Sequence, residues 1–447
     1  MTKTGKTGRW GLSLIILMLV PVVWWLTVTN WNAEIFGLYS FRRMCLNLFI
    51  TACAVSIVYI LLGKKGVRHK ALSVLTAFIS TGICLLLLEI PALFFGFDYQ
   101  KIFGTGVSKD ALHLSTKINE PDHVLIHKHW PGSSFSGEVV GNLAHLGIPH
   151  PNRYKVDVQY DSNGFRNDRE YQNADIAVIG DSFVEAAIIP LDKSLVKLLE
   201  SRLNVPTVNL GQIAYGFKQE LEVLKRYALP LSPKLVVWAL FGGNDLRDVD
   251  AYEKDLENFG QPAEAQPLTN RLFTRNLLVA SSNILSTVFR IRPGSIAFDK
   301  SGLFPRNDSK RERVYFGQTS DPWTDHQWDV ATDTLITAKH LSNEGAADFV
   351  VVYIPRKYRI YRDYIEVDPT TSIAGWDVAP LPEALARWCA EHGIEFIDTT
   401  PRLAEVVAKG IHPYFIDDVH WNALGHEIAA DTIIEYLHSN KLFPFNN

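Results

Sequence analysis

Cysteine is scarce in this chain, four residues in 447, and methionine is scarcer still at three. Cys45, Cys53 and Cys84 fall in apolar runs, which leaves Cys389 alone in residues 98–447. A lone cysteine makes no internal bridge, so that part must be held by a hydrophobic core rather than by disulfides. Cys389 lies in a helical pattern, 381–392, and reads as a small buried apolar residue rather than a nucleophile. Positive charge is not in excess: 44 Lys and Arg stand against 48 Asp and Glu, a net charge of −4. An acidic globular part without a basic stripe excludes nucleic acid as a partner. No HExxH or comparable ligand set surrounds His412, His420 and His426, so neither a metal nor another cofactor is expected. Internal repeats and low-complexity segments are absent.

What the chain does have is apolar sequence near its start. Three runs, Trp10–Thr29, Met44–Leu62 and Ala71–Phe95, each reach the roughly 18 residues that read as a membrane-spanning helix. Trp24, Trp25 and Trp31 resemble an interfacial aromatic belt. Lys3, Lys6 and Arg9 would suit a signal peptide, but no small-x-small cleavage site follows, so the first run reads as an uncleaved anchor. Residues 1–97 carry nine Lys and Arg against Glu34 and Glu89, a balance of +7 that leaves −11 for residues 98–447. The loop at 63–70 has four Lys/Arg and no acid, which predicts a cytoplasmic N-terminus and loop. Three crossings then put residues 98–447 outside the cytoplasm, in a periplasm or at the cell surface. Glu89 lies near the outer end of the third run and reads as a boundary residue.

Residues 98–170 show no sustained periodicity and read as a connector that packs on the domain that follows, ending in strand-like 154–160 and the turn Asp161–Gly164. From 171 to 440 strands and helices alternate. Buried-strand runs at 175–180, 206–210, 234–240, 347–354 and 394–398 are separated by helical patterns at 193–203, 217–228, 328–343, 381–392 and 422–438. That alternation predicts an α/β domain with a parallel sheet, helices on both faces, and the loops after the strands on one edge. A stretch at 248–327 interrupts it and is expected to stand over that edge as a lid or substrate-binding insertion. Tyr315, Phe316, Trp323 and Trp328 offer either flat faces for sugar rings or packing for the insertion.

Three pieces carry chemistry. Gly180-Asp181-Ser182 follows a strand directly and opens a helix, where free N–H groups favour a developing oxyanion. Taken alone it is also an ordinary helix cap. Asn244, in Gly242-Gly243-Asn244-Asp245 just past a strand, offers an uncharged amide donor or simply a turn residue. Asp417 stands three residues before His420, a spacing that suits a carboxylate turned back onto its imidazole; Asp418 is the competing carboxylate.

Together these blocks resemble the SGNH (GDSL-type) hydrolase family: Gly180-Asp181-Ser182, Gly242-Gly243-Asn244-Asp245 and Asp417-x-x-His420, followed by Trp-Asn-Ala-Leu-Gly-His at 421–426. The resemblance covers about residues 156–440, and the Gly-x-Ser-x-Gly elbow of α/β-hydrolases is absent around Ser182. It implies a flavodoxin-like three-layer αβα fold, Ser182 as nucleophile, His420 as base and Asp417 as its orienter. The family's second block carries a glycine whose N–H joins the oxyanion hole. Here the count from Asn209 lands on Ala214, with Gly216 as the alternative donor. An alanine serves if its φ need not be positive.

Three functions follow from that resemblance. The leading one is a membrane-anchored serine esterase that removes acyl groups, acetyl foremost, from a cell-surface glycan, with Ser182, Ala214 and Asn244 forming the oxyanion hole. The second is a polysaccharide O-acyltransferase on the same site, which would need a membrane partner to deliver the acyl group. The third is a non-catalytic glycan-binding or assembly protein.

Overall fold

The computed structural model describes residues 3–29, 35–36, 38–62, 66–103, 119–146, 148, 151–259, 268–288, 296–317 and 322–443. Trp31, Glu34, Lys64, Lys65 and parts of the 248–327 stretch lie outside the described residues. The chain forms two compact units, one of residues 1–108 and 262–296, the other of residues 109–261 and 297–447.

The first unit is helical. Helices α1 (Lys3–Leu26), α2 (Phe41–Leu62) and α3 (Val67–Phe94) each contain a stretch long and apolar enough to cross a membrane. Leucine, isoleucine and phenylalanine cover their outer faces, while Ser13, Asn47 and Lys70 are buried inside. The buried amide of Asn47 donates to Thr27 Oγ1 at 2.7 Å, and Trp24 Nε1 donates to Thr51 Oγ1 at 3.0 Å. Such polar ties suit an apolar solvent, where helices gain little from burying more leucine.

The second unit is the expected α/β domain. It includes two antiparallel pairs ahead of the main sheet, β1 (Asn119–Asp122) with β2 (Ile126–His129) and β3 (Ser134–Val140) with β4 (Arg153–Gln159). The connector is thus part of the domain's architecture. The main sheet contains β5 (Ile176–Gly180), β6 (Thr207–Gly211), β7 (Leu235–Phe241), β10 (Asp348–Ile354) and β11 (Glu395–Asp398), with β8 (Ser301–Pro305) and β9 (Arg311–Tyr315) forming a separate hairpin. All pairings in the main sheet are parallel, in the order β6-β5-β7-β10-β11, which is the flavodoxin-like arrangement.

The strands alternate between two cores because successive side chains point to opposite faces. Ile176, Val178, Val237, Ala239, Val350 and Val352 enter one core; Ala177, Ile179, Val236, Trp238, Leu240 and Val351 enter the other. Every residue of β7 is buried, as expected of a central parallel strand covered on both sides. Each large aliphatic side chain so buried contributes about 1.5–3 kcal/mol. The chain order reverses at β5, with β6 on one side and β7 on the other, so the crevice beyond Gly180 and Phe241 is where a doubly wound sheet places its ligand.

The 248–327 stretch departs from the single insertion expected. Its start continues the helix Asp245–Glu257, and Ser301–Tyr315 is the β8–β9 hairpin of the α/β unit. Between them, Leu268–Arg271 and Phe273–Val288 are helices of the first unit. The aromatic residues of its end pack rather than offer open faces: Phe316 is buried in the core, and Trp323 and Trp328 stack at 5.6 Å against the second core.

Candidate active site

Ser182 begins a one-turn helix directly after β5, and Asp181 caps that turn by accepting from Phe183 N at 2.9 Å. Gly180 is required for close approach: a Cβ there would sit 2.6 Å from Val184 Cγ2 and 2.9 Å from Ala239 O. The turn presents Ser182 to His420, whose Nε2 lies 2.7 Å from Ser182 Oγ. His420 keeps 18% of its side chain exposed, whereas Asp418 keeps 4%, so the imidazole is reachable and its carboxylate partner is sealed.

That partner is Asp418 and not Asp417. Asp418 Oδ1 lies 2.6 Å from His420 Nδ1 and also accepts His420 N at 2.9 Å. Asp418 therefore folds back over its own loop onto the imidazole two residues downstream. Asp417 points away from the imidazole. Its carboxylate accepts from Asn152 N at 2.6 Å and from the Tyr154 hydroxyl. Burial alone would raise the Asp418 carboxyl, but the charge of His420 and the hydrogen bonds from His420 and Asn142 outweigh it and hold the group below the usual range. For His420, burial works to lower the imidazole, and the Asp418 charge and hydrogen bond overcome it, so its pKa is raised above 6.5.

The connector supplies the outer supports of this pair. Asn142 N donates to Asp418 Oδ2 at 2.6 Å, Asn142 Oδ1 accepts from Val419 N at 3.1 Å, and Leu143 N donates to Asp417 O at 3.2 Å. A Cβ on Gly141 would stand 2.4 Å from Asp417 O, so only glycine lets the two loops approach this closely.

Ala214 has φ +61°, the left-handed conformation that favours glycine. The expected negative φ is not observed: Ala214 takes the glycine's place in the left-handed turn at a cost of about 1–2 kcal/mol of backbone strain, and its N–H stays a candidate donor. Gly216 has φ −132° and only caps the next helix, so the turn belongs to Ala214. Its neighbour Ile213 is fixed on both sides of the peptide. Ile213 N donates to Glu185 Oε2 at 2.6 Å, and His127 Nε2 lies 2.9 Å from Ile213 O. Glu185 also accepts from Tyr160 at 2.7 Å and faces His129 Nε2 at 3.0 Å. Burial penalises the Glu185 charge, yet His129, Tyr160 and Ile213 N hold its pKa down to about 2.

Asn244 stands at the head of the helix Asp245–Glu257, after β7, and its amide donates one N–H to Asp248. An amide carries two N–H groups, so one remains for another acceptor. The loop before it is clamped by Arg356, whose Nε donates to Gly242 O at 2.8 Å and whose second nitrogen reaches Gly243 O. The adjacent Lys357 clamps the other loop. Its buried Nζ donates to the carbonyls of Phe415 at 2.6 Å, Tyr315 at 2.8 Å and Ile416 at 2.9 Å. Burial lowers the Lys357 pKa to about 7, against the opposing pull of Asp418 and Asp417. A cavity of about 260 Å³ opens between these clamps, lined by Asn142, Asn244, Arg247, Phe316, Tyr358 and Val419 among others. A larger cavity of about 410 Å³, around Asp161 and Arg169, involves none of Ser182, Asn244 or His420.

The structure thus brings Ser182 and His420 into hydrogen-bond contact and sets Asn244 at the end of the strand beside theirs. Asp417 it moves from the imidazole to a supporting role. Sequence reasoning missed Asn142, Glu185, Arg356 and Lys357. The Asp-Asp doublet signalled one of the two carboxylates but not which, and nothing local to the others marks them.

The family described as "SGNH hydrolase-like domain, acetyltransferase AlgX" matches residues 324–444, which include Asp418 and His420 but not Ser182 or Asn244. No curated protein matches the chain. Similar solved structures include a lipase/acylhydrolase from Enterococcus faecalis, with 15% identity over 59% of this chain and 95% of that one and a TM-score of 0.31. A catalytic mutant of an acetylxylan esterase from Geobacillus stearothermophilus has 12% identity over 60% of this chain and 94% of that one, with a TM-score of 0.30. A GDSL-like lipase from Bacteroides thetaiotaomicron has 13% identity over 59% of this chain and 88% of that one, also at 0.30.

Proposed function

We propose that this chain is a membrane-anchored serine esterase of the SGNH type that removes acetyl groups from an extracytoplasmic glycan, a reading supported by the match of residues 324–444 to an SGNH hydrolase-like family and by N-terminal helices of membrane-crossing length and polarity. The observation that carries the reading is the unbroken relay from Ser182 Oγ to His420 Nε2 at 2.7 Å and from His420 Nδ1 to Asp418 Oδ1 at 2.6 Å.

In the first half-reaction Ser182 Oγ attacks the ester carbonyl carbon while His420 Nε2 takes the hydroxyl proton. Asp418 fixes the imidazole tautomer and stabilises the imidazolium. The negative charge that develops on the carbonyl oxygen is met by the N–H groups of Ser182 and Ala214 and the free N–H of Asn244. The intermediate collapses by breaking the ester C–O bond, and His420 returns its proton to the leaving sugar alcohol. Water then attacks the acyl-serine, again losing its proton to His420, and acetate leaves with Ser182 restored.

A second reading has its own support. The matching family carries the name of an acetyltransferase, and the same acyl-serine can be attacked by a sugar hydroxyl in place of water. The enzyme would then be a polysaccharide O-acyltransferase, supplied with acyl groups by a membrane partner. The deciding experiment uses the full chain in liposomes, a chromogenic acetyl ester and graded glycan acceptor. Cleavage that is abolished in Ser182→Ala and indifferent to acceptor establishes the esterase. Cleavage that accelerates as acetyl appears on the glycan establishes the transferase. Equal turnover by the wild type and Ser182→Ala overturns both.

A further inference from the structure

The Phe273–Val288 helix has its polarity inside out. Arg275 is 8% exposed, Asn276 0% and Ser282 1%, whereas Leu277 and Leu285 are 38% and 40% exposed. A helix lying in water shows the opposite distribution, with an apolar stripe turned inward and polar groups outward. The buried polar groups are satisfied within the unit: Asn276 Nδ2 donates to Leu272 O at 2.7 Å and to Asn270 O at 2.9 Å, and Ser282 Oγ donates to Val279 O at 2.8 Å. The same inversion governs α1, α2 and α3, where Ser13, Asn47 and Lys70 are hidden and Leu14, Leu46 and Leu72 are outside. Val279 packs in one cluster with Ile35, Tyr39 and Met44, so the helix is continuous with the membrane helices.

Its N-terminus is held by a carboxylate that would otherwise be a liability. Glu89 lies on α3, among residues as exposed as Leu88 and Leu93. A lone carboxylate on a lipid-facing helix is costly. Here Glu89 Oε2 accepts Phe273 N at 2.7 Å and Oε1 accepts Thr274 N at 2.8 Å. Two orphan N–H groups at the positive end of a helix dipole thereby offset the acid, and the acid satisfies them. Around this joint Tyr99 meets Phe97 at 5.0 Å and Phe273 at 5.2 Å, a set of aromatic rings of the kind found where a bilayer meets water.

We infer that Phe273–Val288 is a membrane-embedded helix that does not span the bilayer, its Leu277 and Leu285 face lying in lipid acyl chains of the leaflet at the C-terminal end of α3, with Glu89 seating its first turn. The 16 residues of the helix give about 24 Å of length, short of the roughly 30 Å hydrocarbon core. Residues 262–296 leave the α/β unit and return to it, so the helix enters and leaves the bilayer on one side. The excursion that sequence reasoning placed over the active site is a second membrane attachment, and Glu89 is its anchor.

The test uses the full chain in liposomes, with Cys45, Cys53, Cys84 and Cys389 replaced by alanine and single cysteines at Leu277, Leu285, Leu86 and Lys409 carrying an environment-sensitive dye. Lipids brominated along the acyl chain should quench the dyes at 277 and 285 at least half as strongly as at 86 on α3. Aqueous iodide should quench them several-fold less than at 409. Iodide quenching equal to that at 409, with no response to bromolipid, overturns the inference. Glu89→Ala should at least double iodide quenching at 277 while leaving Ser182-dependent ester cleavage unchanged. Unaltered quenching in that variant overturns the role given to Glu89.

Discussion

The two units solve one problem in two solvents. In the α/β unit the described residues leave few large hydrophobic side chains exposed (Trp130, Leu256, Tyr364 and Ile411), while the helices of the first unit are covered with them. The contrast extends to what each unit hides. Buried polar groups of the helical unit, such as Asn47 and Ser282, are mostly neutral and tied to near neighbours. The α/β unit buries ionisable groups, Glu185, Lys357, Asp417 and Asp418, and gathers them around one edge of its sheet. Each of these four has hydrogen-bond partners, and the domain concentrates the cost of burying them where chemistry is proposed.

The sharpest way to break the comparison is to neutralise one carboxylate of the Asp-Asp doublet at a time. Asp418→Asn should cut kcat by about 10³- to 10⁴-fold, because the amide favours the wrong imidazole tautomer. Asp417→Asn should instead lower stability by about 1–3 kcal/mol, with a far smaller effect on kcat. Equal kinetic losses would return Asp417 to the role first expected of it.

Next in size is the cost of a buried polar partner in each unit. Lys357→Met strands the carbonyls of Phe415, Tyr315 and Ile416, and thermal unfolding should report a loss of several kcal/mol, since each buried acceptor left unpartnered costs about 1–3 kcal/mol. Thr27→Val in the helical unit removes a contact to Asn47 and should cost only about 0.6 kcal/mol. Similar losses in both would mean that the units do not differ in this respect.

The pH profile is a third probe. A neutral His420 is the active form and its pKa is raised, so kcat/KM should climb with pH through a midpoint above 6.5 and fall about tenfold per unit below it. Stability runs the other way: the contribution from protonated His420 is complete below the unfolded value near 6.5 and is lost as pH rises through the folded one. Asp418→Asn should move the acid midpoint downward, since that carboxylate is the largest influence raising the imidazole.

The smallest effect belongs to Ala214→Gly. Glycine relieves the strain at φ +61° and costs flexibility in the unfolded chain, so melting temperature and kcat should both stay near the parent values. A large loss of kcat would show that the methyl group itself touches substrate.

These residues also show what was legible in the sequence. The five parallel strands were, since runs such as Leu-Val-Val-Trp-Ala-Leu at 235–240 have no other economical place than the centre of a parallel sheet, although the edge strand Glu395–Asp398 is only half-buried. Ser182, Asn244 and His420 were legible because each follows a strand or sits in a motif loop. The choice between Asp417 and Asp418 was not, because it depends on which carboxylate the connector claims: Asn152 and Tyr154 take one, Asn142 the other. The fate of 262–296 was hidden for a related reason. Its polarity reads as ordinary amphipathicity until one knows which face is buried.

The pairing of Ser182 with His420 has a consequence in time. They are 238 residues apart in sequence, and the connector that steadies the Asp418 loop precedes both. At roughly 5–20 residues per second of synthesis, the serine waits roughly ten to fifty seconds for its base. During that interval the membrane helices and the first strands are already made. The nascent chain therefore carries Ser182 without its base through that interval, and the proposed chemistry becomes available only once residues 418–420 have been made.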